Sequence, residues 1–257
     1  MKALEILKER GEDDELYTEL YERYLQDANR TGPPAAYPTF TAALRSLDYT
    51  PKRLTKEARE RDAEKCDAWL AAVKRRFKSS QLICVDEVGS DKRTTNRNVG
   101  HSKRGTRATG KQHFHKGRRY SALGVYTCDS AFVDAYIVKG GFNSALLRQG
   151  VERAVLPHMN PYPGENSVLV WDGASIHGCR EVIEMVLDTG ALVLFLEPYD
   201  PQHMPIEIGF RALKKWMRKH RELIMHMPPR EQLRLAFLMV HKRAGKSSFL
   251  ECGYDVE

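Results

Sequence analysis

The chain has 257 residues, 42% of them hydrophobic, and a formal net charge of +7. That is enough apolar material for one sizeable core and a smaller appended module, and too little for several full domains. The basic balance favours a polyanionic partner such as nucleic acid. Five cysteines without a CxxC pair argue against a zinc ribbon or a disulfide framework, so reduced thiols in an intracellular protein are expected. A charged amphipathic start and the lack of any run of about 18 apolar residues argue against secretion and membrane spanning.

Charge is unevenly spread. Residues 1–30 hold five Lys/Arg against nine Asp/Glu, so the basic character belongs to the body of the chain. It concentrates in residues 91–119, where ten Lys/Arg stand against a single acid, Asp91.

In chain order, apolar groups at helical spacing predict helices over 2–9, 14–28 and 38–47, with the prolines of RTGPPAAYPTF breaking the chain before the third. Thr39 or Thr41 can cap that third helix. A unit of this size is either a helix-turn-helix with its third helix in a DNA major groove or a small helical packing module. Residues 55–78 read as one long charged helix that docks through Trp69, Leu70 and Val73. The period then changes. QLICVDEV, YSALGVYT and AFVDAYIV are strand-like, the last two joined as a hairpin. NSALLRQGVERAVLPHM is helical, SVLVWD a strand, CREVIEMVLDTG a helix and ALVLFLEP a strand. Helices opened by proline follow over 205–220 and 228–243. The order is that of an α/β domain with a mixed sheet, preceded by a small all-α module. The expected divisions are 1–54, a linker helix over 55–78, and an α/β domain over 79–257.

Three carboxylates hold informative positions. Asp86 ends one apolar strand, Asp172 ends another, and Glu207 sits in a first helical turn just after Pro205. Carboxyl ends of strands are where α/β sheets form sites. Carboxylates gathered there repel one another unless a hard divalent cation joins them. A pair of Mg²⁺ ions so held activates water or a 3′-hydroxyl and stabilises the leaving oxygen in phosphodiester chemistry. Singly, a strand-end Asp is more often structural, accepting turn hydrogen bonds, and Glu207 would be at home in any first helical turn. Glu87 should face the opposite side of its strand from Asp86.

Spacing and surrounding words add to this. Between Asp172 and Glu207 lie 34 residues, and ICVDEVGSDKRTT, FHKGRRYSALGVYT, LPHMNPYPGENSVLVWDGASIH and LEPYDPQHMPIE occur in order, followed by FRALKKWMRKH and FLECGY. Together these resemble the Tc1/mariner superfamily of DNA transposases, most of all its IS630-like branch, from about residue 4 to residue 254. The resemblance implies an RNase H-like fold in which Asp86, Asp172 and Glu207 hold two Mg²⁺ ions, with Mn²⁺ as a substitute. It implies strand cleavage at transposon terminal inverted repeats and transfer of the freed 3′-hydroxyl to double-stranded target DNA, usually at TA. A homodimeric synaptic complex, and a nuclear location in a eukaryotic host or a cytoplasmic one otherwise, belong to the same expectation. Residues 1–54 look like the second helix-turn-helix of the family's bipartite DNA-binding region; the first has no counterpart here, which implies weakened recognition of the repeats more than weakened chemistry. Two departures stand out. The usual Asn after the second Asp is Gly173, and the typical SPDxNPIE reads DPQHMPIE, with Asp200, Gln202 and Met204 substituted.

Candidate DNA contacts are Thr39, Thr41, Arg45, Lys52 and Arg53 in the first module. In the basic stretch they are Arg93, Arg97, Lys103, Arg104, Arg107, Lys111, Arg118 and Arg119, and after Glu207 they are Lys214, Lys215 and Arg218. A solvated charge run is the alternative for the basic stretch. His113 and His115 lack nearby nitrogen or sulfur partners for a metal site, and His177 either shapes the acidic site or caps the next helix. Three functions remain: a metal-dependent transposase, a domesticated non-catalytic DNA-binding protein, and an RNase H-like nuclease acting on RNA–DNA hybrids.

Overall fold

The computed structural model describes residues 16–27, 32–52, 58–172, 180–240 and 244–256. The chain divides into two compact units, Met1–Glu57 and Ala58–Glu257. The expected helix over 2–9 and the candidate Arg53 lie outside the described residues, as do Gly173 and His177.

In the first unit, α1 (Tyr17–Gln26) and α2 (Tyr37–Ser46) pack through aromatic rings. Tyr21 meets Tyr37 and Phe40 with centroids 5.1 and 5.2 Å apart, and Tyr24 meets Phe40 at 5.1 Å. A unit this small has few side chains to bury, and large rings supply most area per residue. Their hydroxyls also pin the proline-rich connection. Tyr21 Oη donates to the Ala35 carbonyl at 2.9 Å, and the Ala35 N–H donates to Tyr24 Oη at 3.0 Å.

The second unit opens with α3 (Ala63–Arg76). The long helix expected over 55–78 is shorter at its start, because the Asp62 side chain accepts from the Lys65 N–H at 3.1 Å and caps it. Cys66 and Val73 are its buried positions, with Trp69 and Leu70 packed against the core.

A five-stranded sheet follows, in the order β3-β2-β1-β4-β5, built from β1 (Leu82–Ser90), β2 (Tyr120–Thr127), β3 (Ala131–Lys139), β4 (Val168–Asp172) and β5 (Leu192–Leu196). The first three strands are antiparallel, while β4 runs parallel to β1 and β5 to β4. Between β3 and β4 the helix α4 (Ser144–Gly150) continues through a π turn, Val151–Val155, and a tighter turn, Leu156–His158. Helix α5 (Arg180–Leu187) joins β4 to β5. After β5 come α6 (Pro205–Lys219), the short α7 (Arg221–Ile224), α8 (Pro229–Met239) and α9 (Ala244–Glu251). Among the described residues no helix is long and apolar enough to cross a membrane.

The period-2 geometry of a strand divides the sheet into two faces. Leu82, Cys84 and Val88 of β1 and Val168 and Val170 of β4 point to one face, where Ile206, Phe210, Leu213 and Met217 of α6 cover them with α8 and α9. Ile83 and Val85, with Leu169 and Trp171, point to the other, under Leu147, Val151, Val155, Val182 and Val186. Central strands buried on both faces explain why VLVW reads as a continuous apolar run rather than an alternating one.

Candidate active site

Register brings the first two acids together. All four rungs between the parallel strands β1 and β4, from Leu82↔Val168 to Val85↔Trp171, carry the same offset. One step further along both strands stand Asp86 and Asp172, on adjacent strands about 5 Å apart by ordinary strand spacing. They share the face of Cys84 and Val170, which is the face α6 covers.

The third acid comes from α6. Pro205 and Ile206 are buried in its first turn and fix the helix against the sheet, and the Glu207 N–H donates to the Met204 carbonyl at 3.0 Å. Two glycines let this helix approach closely. A β-carbon on Gly209 would lie 2.6 Å from the Tyr126 ring, and one on Gly124 would lie 3.1 Å from Phe210 and 3.3 Å from Ile206. Gly124 is the residue paired with Asp86 across β1 and β2. Close approach of α6 at this rung delivers Glu207 to Asp86.

Electrostatics record the convergence. Burial pushes the Asp86 carboxyl up to about 7; the Glu87 N–H, donating to it at 2.6 Å, opposes the rise, while the Glu207 and Asp172 carboxylates add to it. The last two causes place Glu207 and Asp172 near Asp86. Among the described residues no set of three or more His, Cys, Asp and Glu side chains is spaced as a finished metal cage. The gathering is therefore electrostatic and not a closed ligand set. Its chemistry nonetheless suits a hard divalent cation, since oxygen donors that destabilise one another's charge gain most from an intervening positive ion. Glu87 lies on the opposite face: burial raises its carboxyl and Arg119 lowers it.

The basic candidates divide. Lys103, Arg104, Arg107, Lys111 and Arg118 are exposed, as are Lys215 and Arg218, and Lys214 is half-buried. Three others are engaged within the protein. Arg93 pairs with Asp91 at 3.4 Å, its own N–H bonding the same carboxylate at 2.8 Å. Arg97 donates to the carbonyls of Arg218 and Lys219 at 3.0 and 3.1 Å, so it caps the C-terminus of α6, about 16 Å along the helix from Glu207. The Arg119 guanidinium lies against Gly89, on the face opposite the three acids. In the first unit Thr39, Arg45 and Lys52 are exposed and Thr41 Oγ1 donates to the Pro38 carbonyl at 3.0 Å.

The composition of β1 and its neighbours has a family counterpart. The family model described as DDE superfamily endonuclease matches residues 81–226, more than half of the chain. The chain belongs to the DDE superfamily of endonucleases. No curated protein matches this DDE endonuclease. Solved structures do. Its fold is similar to Mos1 transposase in a paired-end complex with the left transposon end, with a TM-score of 0.62 at 16% identity over 98% of this chain and 78% of that one. The Mos1 strand transfer complex gives 0.56 at 15% identity, covering 100% and 78%, and the Mos1 mariner paired-end complex with Mg gives 0.54 at 16%, covering 99% and 79%. The mixed sheet of this endonuclease with helices on both faces is thus the RNase H-like fold.

Proposed function

We propose that this DDE endonuclease is a transposase, or a protein descended from one, that cuts double-stranded DNA at transposon ends and joins the freed 3′-hydroxyl to target DNA. The observation that carries the reading is the placement of Asp86 and Asp172 one step beyond the last paired rung of neighbouring parallel strands, Val85↔Trp171, with Glu207 acting on the Asp86 carboxyl. The fold shared with Mos1 assemblies on transposon ends supports the same substrate class.

Asp86, Asp172 and Glu207 would hold the divalent cation, and Mos1 paired-end complexes containing Mn or Mg support the choice of metal. Two such ions supply a nucleophilic oxygen and stabilisation of the leaving oxygen. The protein's own contribution is positional. The sequence expectation that Asp86 ends its strand is corrected, since β1 runs on to Ser90 in its pairing with β2. The middle of β1 fixes Asp86, the end of β4 fixes Asp172, a helix held by Gly209 and Gly124 fixes Glu207, and a carboxyl that ionises only near neutrality binds a proton until a counter-charge arrives. The exposed lysines and arginines of the loop after β1 bind phosphate without base specificity, which makes affinity salt-dependent. Terminal inverted repeats, TA targets and a homodimeric synaptic complex complete the reading.

Nicking of supercoiled plasmid in Mn²⁺, with Asp172→Asn alongside, tests it. Nicking by the parent that the variant lacks is expected. Equal nicking by both refutes the assignment of the three acids, and binding of DNA with no metal-dependent cutting by the parent favours a non-catalytic descendant instead.

A further inference from the structure

The loop before Glu207 is where this chain departs from the family's wording, and the departures are tied together. Asp200 is buried, its side chain wholly out of contact with solvent, and its Oδ2 lies 2.6 Å from His203 Nδ1. Among the described residues its other oxygen has no hydrogen-bond partner, and it faces Arg61 at 3.6 Å. The Gln202 amide, turned with its oxygen inward, accepts from the same guanidinium. His203 is held from the far side as well, since buried Tyr254 donates its hydroxyl to the His203 carbonyl at 2.9 Å. The Cys66 thiol completes the enclosure, pushed up by burial first and by the Asp200 carboxylate next.

These contacts join three distant segments: the entry to α3, the turn Pro201–His203, and the C-terminal tail. The turn leads directly into the catalytic helix. Met204, 2% exposed, bonds back to the Pro201 carbonyl at 3.3 Å and its own carbonyl accepts from the Glu207 N–H. A buried ion pair is a poor source of net stability, because desolvating both charges consumes most of their attraction. An apolar filling of the same space would stabilise the fold at least as well. What a closed polar unit supplies and an apolar one does not is a single orientation.

We infer that Arg61, Asp200 and His203 act as positioning residues that fix the turn delivering Glu207, so that the altered wording of this loop is a replacement support for the metal-binding carboxylate. The inference rests on the metal-dependent reading above. None of the three touches substrate; each acts through Glu207.

The test is calorimetric Mn²⁺ binding to the full chain, with amide hydrogen exchange over residues 204–208. His203→Leu and Asp200→Asn are expected to weaken Mn²⁺ binding by roughly 10 to 100 fold, the usual effect of removing a group that orients a ligand. Exchange over 204–208 should quicken. His203→Asn, whose amide nitrogen replaces the Nδ1 donor, should bind within about 3 fold of the parent, since a donated hydrogen bond to the carboxylate is restored. Arg61→Lys keeps the charge and loses the fork that reaches both Asp200 and Gln202; it carries the same expected weakening with less risk to folding. Folded Arg61→Lys and His203→Leu proteins that bind Mn²⁺ as the parent does would overturn the inference, as would His203→Asn binding as weakly as His203→Leu. A parent that binds no more Mn²⁺ than Asp172→Asn overturns the metal reading itself, and this inference with it.

Discussion

Replacing Asp86 by asparagine should make the metal-free protein more stable at alkaline pH. The native carboxyl ionises near 7 against an ordinary 3.8, so between those values the folded state holds a proton that the unfolded chain has already released. Stability contributed at this position therefore falls as pH rises from about 4 to about 7 and is flat above. At 1.36 kcal/mol per pH unit the interval amounts to about 4 kcal/mol, an upper bound because the site can relax. Asparagine does not titrate, keeps an oxygen for the Glu87 N–H, and turns an amide donor toward Glu207. With about 2–4 °C per kcal/mol for a chain of this size, the variant should melt roughly 10 °C above the parent at pH 8 in chelator, and the gap should shrink at pH 5. Mn²⁺ should raise the parent's Tm and leave the variant's unmoved. Thermal denaturation followed by circular dichroism, at both pH values and with chelator or Mn²⁺, measures all of this. A variant less stable than the parent at pH 8 in chelator, or a gap independent of pH, would refute the reasoning.

Three further outcomes are expected. Gly209→Ala forces a methyl against the Tyr126 ring and should destabilise by about 1–3 kcal/mol; by lifting α6 it should reduce nicking more than DNA binding, measured side by side on one plasmid substrate. Lys103→Ala with Arg107→Ala should reduce the salt slope of DNA binding by about 2, whereas Arg97→Ala should leave the slope alone and lower stability by about 1 kcal/mol through the lost cap on α6, read from binding titrations across salt and from urea melts. Tyr21→Phe removes the hydroxyl bonded to Ala35 and should loosen the first unit by about 1 kcal/mol, seen as faster amide exchange at Ala35, Ala36 and Tyr37.

Much of the catalytic unit was legible. Apolar runs that stop at Asp86 and Asp172 announce buried strands, and Pro205 two residues before Glu207 announces a helix start, so the strand and helix order and the family resemblance could be read from the residues. What the sequence conceals is direction and distance. Arg97 and Arg119 are indistinguishable from their basic neighbours until register and the end of α6 show one capping a helix and the other beyond the sheet. Asp200 and Gln202 look like erosion of a motif because Arg61, their partner, is remote in the chain. Helix α9 was not foreseen, since Gly245 and the serines after it are poor helix formers; the glycine is required where the helix presses on the Cys128 carbonyl. The early start expected for α3 failed because charge periodicity continues through Asp62, whose cap is a matter of one hydrogen bond.

The matched positions of Asp86 and Asp172, each one residue past the rung Val85↔Trp171, also set what kinds of length change this scaffold tolerates. Side chains on a strand alternate faces, so one residue inserted or deleted inside β1 or β4 would turn an acid to the wrong side of the sheet and bury it among the side chains that pack on Trp171. Between the strands no such parity applies. The long basic excursion from Asp91 to Arg119 leaves the sheet at Ser90 and rejoins it at Tyr120, directly opposite, so its length can change without disturbing either acid. The connection is thus free to be remodelled around different DNA while the cutting centre stays in place, and lineages of this fold should differ in loop length far more than in the number of residues between the start of each central strand and its carboxylate.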